Sequence, residues 1–280
     1  MSDIETAVAR HYGNAELLAR ILAGLEASGI DPTRLRPDDL APVDEFHIGG
    51  REATAHAVAK LTLNAKSHLL DIGCGIGGAV RYIAAEIGCR VTGVDLTPEF
   101  IDVARRLTEL TGLDGKIAYD CASALDMPFE DGVFDAAITL HVAMNIRERA
   151  ALYGEIARVM EPGAALCIYD VMKAGAGELT YPVPWAESPE TSHLTTADEM
   201  RGLLDVAGFD VGEVEDRSVF ARAFFHRALA AAAASDGGPP PLGVHLILGA
   251  SAAEMFRNML ANIEAGHIAP IQMIATRRAA

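Results

Sequence analysis

The chain has 280 residues, 50% of them apolar, with 23 Lys and Arg against 39 Asp and Glu and a net charge of −16. A surface this acidic repels phosphate backbones and anionic lipid, so neither nucleic acid nor a membrane is an expected partner. The length and apolar content suit one α/β domain with an insertion of its own, as a monomer or homodimer.

The start, "MSDIETAVARHYG", has no basic stretch ahead of an apolar run. No apolar segment approaches the ~20 residues needed to cross a bilayer, so a cytoplasmic protein is expected. Cys74, Cys89, Cys121 and Cys167 form no CxxC pair and are expected as reduced thiols with no metal. Apolar side chains at helical spacing from Ile4 to Ser28, among them Val8, Leu17, Ile21 and Leu25, predict an amphipathic helix or pair, stopped by Gly29 and Pro32. The proline-rich "RLRPDDLAPVDEFHIGG" predicts an ordered loop and Gly50 to Leu61 a further helix, so residues 1–66 are expected as a helical cap.

From Ser67 onward short apolar strands alternate with helices, the pattern of βαβ units. Strands are predicted at "HLLDIG", "RVTGVD", "IAYDCA", "FDAAITL" and "AALCIYDVM". Helices are predicted at Gly78 to Glu86, Pro98 to Thr111 and Arg147 to Met160, the last stopped by "EPGA". A helix over Thr196 to Ala207, a strand at "FDVGEVEDRS", a helical lid insertion over about 219–266 broken at "SDGGPPP", and a final strand "APIQMIATR" follow. The fold class is therefore α/β: a doubly wound, mostly parallel seven-stranded sheet over 67–280 with a helical cap.

The first βα turn reads "LLDIGCGIGG". Its glycines fit a dinucleotide fingerprint, but Asp71 stands two residues ahead of Gly73, where a pyrophosphate would meet repulsion on the order of a kcal/mol. S-adenosylmethionine (SAM) carries an ammonium and a sulfonium and no phosphate, so Asp71 becomes a charge partner. The pattern DxGxGxGG resembles motif I of class I SAM-dependent methyltransferases, whose Rossmann-like fold it implies. The resemblance implies cofactor contacts from Gly73, Cys74, Gly75 and Gly77 in the loop, and from Asp95 and Leu96 at the end of the second strand, where a carboxylate receives ribose hydroxyls.

Ser123 stands where the family usually has an acidic residue toward adenine, a departure that weakens this contact, with Ala124 and Leu125 beside it. After the fourth strand, "LHVAMNI" places Leu140, His141, Met144 and Asn145 toward the reacting centre. His141 is open to two readings, a base or orienting group and a histidine supporting the wall; Asn145 suits orientation. The segment "DEFHIGGREAT" resembles one that covers the methionine end of the cofactor in amine-directed members, which implies a contact from His47. Tyr12 is expected as an N-terminal active-site hydroxyl or as a helix-face residue. Tyr181 and Trp185 are expected on a proline-stiffened loop, and Arg222 or Arg257 of the lid as a possible clamp on a substrate carboxylate.

Together these segments look most like the sarcosine and dimethylglycine N-methyltransferase type. The implied reaction is in-line methyl transfer from SAM to a small-molecule acceptor, nitrogen first, with an oxygen or carbon acceptor needing a base. A catalytically silent SAM-binding module and a nicotinamide oxidoreductase are the alternatives of other classes.

Overall fold

A computed structural model describes residues 16–234 and 238–279. Seven strands form one sheet in the order β3-β2-β1-β4-β5-β7-β6: β1 (His68–Ile72), β2 (Arg90–Asp95), β3 (Ile117–Cys121), β4 (Phe134–Leu140), β5 (Met160–Lys173), β6 (Phe209–Asp216) and β7 (Ile268–Arg277). The first five run parallel; β7 enters antiparallel between β5 and β6. β1 pairs with β2 on one side and β4 on the other, so the chain reverses its direction of travel beside β1. A crevice at the carboxyl ends of β1 and β4 is the geometric result.

Central strands of such a sheet are covered on both faces and need continuous apolar runs. Leu69, Leu70 and Ile72 of β1 and Ala137 and Ile138 of β4 are fully buried accordingly. The helices α4 (Gly78–Glu86), α5 (Pro98–Leu110), α6 (Arg149–Val159) and α7 (Ala197–Val206) lie between the strands. α6 ends earlier than expected because Met160 already pairs with Phe134, and "EPGA" lies inside β5, where Gly163 at φ 84° absorbs the register shift. Pro98 starts α5 at its first position, where its missing N–H costs nothing.

The helices ahead of the sheet are α1 (Leu17–Ala27), α2 (Pro37–Asp44) and α3 (Gly50–Ala59). α2 corrects the expected loop. Pro37 opens it, and the Asp39 carboxylate accepts from the Arg36 amide at 2.8 Å. Proline here starts a helix. Leu17, Ile21 and Leu25 of α1 and Leu40 and Val43 of α2 share an apolar cluster with Val103 and Leu107 of α5. Each such buried side chain contributes about 1.5–3 kcal/mol. The lid region contains α8 (Ser218–Ala233), the short α9 (His245–Leu248) and α10 (Ala252–Glu264). Among the described residues no helix is long and apolar enough to cross a membrane.

One ion pair ties α2 to the sheet. The Arg81 guanidinium of α4, fully buried, donates to Asp44 Oδ2 at 2.7 Å and to the Ile76 carbonyl at 2.8 Å. A buried pair is costly to break from one side only, by about 3–5 kcal/mol, because the remaining charge has no partner. Arg81→Met should therefore lower unfolding free energy by about that amount in denaturant titrations, and Asp44→Leu added to it should recover part of the loss. A double variant less stable than Arg81→Met would contradict this account of the pair.

Candidate active site

The crevice between β1 and β4 opens into a cavity of about 370 Å³. Its floor is the turn after β1. Gly73, at φ 74°, has no room for a Cβ, which would lie 2.4 Å from Val142 Cγ2 at the end of β4. The Gly73 and Cys74 amides donate to the Val94 carbonyl at 2.7 and 3.0 Å, and the Gly75 amide donates to Asp95 Oδ2 at 2.9 Å. Asp95 also accepts from the Thr97 amide at 2.9 Å, so the carboxylate ending β2 is fixed against the loop.

Asp71, Asp95 and Glu45 converge on this floor, and all three are desolvated. Burial first, then the Glu45 and Asp95 charges, push Asp71 up to about 8. Burial and Asp44 raise Glu45 to about 7 against the opposing charge of Arg51, whose Nε stands 2.8 Å from Glu45 Oε1. Burial also raises Asp95, against its amide donors. Burial favours the protonated carboxyl of Asp71 and Glu45, and a cation brought to them favours the ionised form. SAM brings two, so the donor set fits it. No group of three or more His, Cys, Asp or Glu among the described residues is arranged to hold a metal ion.

His47, Asp71, Gly73, Cys74, Gly75 and Asp95 line the cavity. Leu96, Ser123, Ala124, Leu140, His141 and Asn145 line it as well. Gly77 is not among the residues lining the cavity; its Cβ position at φ 82° falls 2.2 Å from the Tyr119 hydroxyl. This glycine lets the loop pack on β3. Tyr12 lies outside the described residues. Trp185 is on the wall; Tyr181, Arg222 and Arg257 are not among the residues lining it. Phe224, Phe225 and Phe256 are what α8 and α10 present instead.

The two wall histidines have defined tautomers. His141 Nδ1 lies 3.0 Å from the Tyr169 carbonyl, which only accepts, so Nδ1 carries the proton and Nε2 the lone pair. Nε2 is buried with no partner among the described residues. Burial and then His47 depress His141 to about 3, so the ring is neutral at pH 7. His47 Nε2 likewise donates to the Gly50 carbonyl at 3.1 Å, and burial holds it down to about 4.

His141 sits at φ 58°, a left-handed backbone that costs a non-glycine residue about 1–3 kcal/mol. Asp170 of β5 holds the turn: its Oδ1 accepts from the Val142 amide at 2.9 Å, with the Ala143 and His141 amides also directed at the carboxylate. Burial raises Asp170 to about 6 against Arg149 and these donors. Sequence reasoning missed Asp170 and Glu45. The available signals were an acid inside the apolar run "CIYDVM" and the pair of acids ahead of His47.

Residues 70–168, from β1 into β5, match the family described as "Methyltransferase domain". The chain is 29% identical over 215 residues to an O-methyltransferase of Pyrenophora dematioidea, covering 75% of this chain and 78% of that one. It is 34% identical over 101 residues to ajmaline N-methyltransferase of Rauvolfia serpentina, covering 36% and 35% of the two chains. Geranyl diphosphate C-methyltransferase of Streptomyces coelicolor A3(2) shares the fold, with a TM-score of 0.71 at 16% identity over 99% of this chain and 98% of that one.

Two outcomes test the site. Asp71 is raised in the folded state, so its contribution to stability is complete below its ordinary value of 3.8 and is lost as pH rises through about 8. A bound cation reverses that loss. SAM affinity, measured by calorimetry from pH 6 to 8, should rise by up to about tenfold per pH unit more in the native chain than in Asp71→Asn; parallel profiles would remove Asp71 from the site. Asp170→Asn should lower kcat by about tenfold or more and leave SAM binding intact, with no further loss in a His141→Gly background. An equal loss in both backgrounds would mean Asp170 does not act through His141.

Proposed function

We propose that the chain, a SAM-dependent methyltransferase of small molecules, methylates the nitrogen of an amine. The observation that carries this reading is the buried, unpartnered and neutral Nε2 of His141 on the cavity wall. It can accept a hydrogen bond from an N–H and fix the direction of the nitrogen lone pair. It is a weak base. Taking a proton from a phenol, near 10, onto an imidazole held at about 3 is uphill by on the order of 9 kcal/mol, whereas a neutral amine needs no deprotonation before attack.

SAM, when bound, supplies a methyl group whose bonding pair returns to sulfur as the new bond to nitrogen forms. The Asp95 carboxylate, preset by the Gly75 and Thr97 amides, accepts the ribose hydroxyls, with Leu96 packed beside them. Asp71 and the backbone of Gly73, Cys74 and Gly75, with His47 and Leu140 on the same wall, would hold the amino-acid end. Ser123 and Ala124 meet the adenine, which Ser123 engages with a neutral acceptor in place of a carboxylate. Asn145 lines the cavity, and with its Nδ2 donating to the Val142 carbonyl at 3.4 Å its Oδ1 can accept from the substrate. Aromatic and aliphatic groups from the lid keep water away from the reacting atoms.

A second reading, transfer to a hydroxyl, draws support from the O-methyltransferase resemblance and from the ability of Nε2 to accept from O–H as well. The pH dependence separates the two. With an amine acceptor, kcat/KM should rise to a plateau at the pKa of the amine itself and show no limb near the ordinary histidine value of 6.5. His141→Gly should cost about 10²-fold in kcat/KM, or ~2.7 kcal/mol, at unchanged SAM affinity. A limb near 6.5 that vanishes in His141→Gly would identify His141 as a base and sink the orienting role.

A further inference from the structure

Among the described residues, the half of the cavity facing α8 and α10 is lined by no cationic side chain. Among the described wall residues there is neither Lys nor Arg, and the ionisable acids are Asp44, Glu45, Asp71, Asp95 and Glu148. Both wall histidines are neutral, with Nε2 of His47 and Nδ1 of His141 turned to backbone carbonyls. Guanidiniums nearby are engaged elsewhere. Arg51 faces Glu45 at 2.8 Å, and Arg149 donates to the Ile146 and His193 carbonyls at 2.8 and 2.6 Å. Arg217 pairs with Glu215 at 3.2 Å and lies 4.4 Å over the Phe220 ring.

What the lid side offers is hydrocarbon: Met144, Trp185, Phe224, Phe225, Phe256 and Met259. Phe225 and Phe256 meet edge to face with centroids 5.3 Å apart at 80°. The Phe256-bearing helix α10 is anchored to the Trp185 loop by Asn258, whose Nδ2 donates to the Pro182 carbonyl at 2.9 Å. We propose that the acceptor is an apolar molecule with an aryl or comparable hydrocarbon body and without a carboxylate, phosphate or sulfate group. This rests on the methyltransferase reading and narrows its acceptor, excluding amino acids such as sarcosine. An anionic group entering here would lose its water with no cationic side chain among the described wall residues to offset the loss. A hydrocarbon body gains by leaving water, and ring faces favour a positive charge on an amine nitrogen.

Trp185 is the only tryptophan of the chain and is 4% exposed on this wall, so its emission reports occupancy directly. Protein loaded with S-adenosylhomocysteine is titrated with 2-phenylethylamine and with phenylalanine, which share ring and amine and differ in the carboxylate, and calorimetry supplies a second readout. The amine should bind at least tenfold more tightly. Equal or tighter binding of phenylalanine, or no binding of either at millimolar concentration, overturns the proposal. Turnover with SAM then separates it from the choice of acceptor atom. Methylation of 4-ethylphenol without methylation of the amine supports the apolar acceptor and overturns the nitrogen reading. Methylation of phenylalanine or sarcosine without the apolar amine does the reverse.

Discussion

Three carboxylates held together out of water are the constraint around which the cofactor side is built. Asp71 arrives on a central strand, Asp95 at the end of its neighbour, and Glu45 from the segment after α2. Burial raises all three, the sheet fixes two of them, and the buried Arg81–Asp44 pair fixes the helix that precedes the third. The site is consequently stable as a fold and unsatisfied as a charge distribution. A ligand with cationic groups resolves that conflict.

The opposite half of the cavity has no such tension, being closed by hydrocarbon from α8, α10 and the Trp185 loop. Between the halves stands His141, strained, neutral and aimed by Asp170. The cavity thus has two unlike halves, one carrying acids and one hydrocarbon.

The sheet was legible in the sequence because buried parallel strands must be continuous apolar runs, and the runs ending at Asp71, Asp95 and Leu140 have no other reading. The wall residues after β1, β2 and β4 followed from topology. What remained hidden depended on contacts remote in sequence. Gly77 belongs to a glycine pattern but answers to Tyr119, and Asp170 answers to amides 28 residues earlier. α2 was obscured because its prolines read as loop formers, although Pro37 occupies the one helical position that suits proline. Arg222 and Arg257 had the right chemistry for a carboxylate clamp, but the pitch of their helices turns phenylalanines to the cavity and leaves arginines off it.

The position of β7 bears on the order in which the molecule can be assembled. It is the last strand of the chain, yet it lies inside the sheet, and β6 has hydrogen-bonded neighbours on that side alone. As the chain leaves the ribosome, the first five strands can pair while β6 waits, together with the helices of the lid, for residues 268–277. The strands that end at Asp71, Asp95 and Leu140 can thus pair before β7 has formed, whereas β6 joins the sheet only through β7.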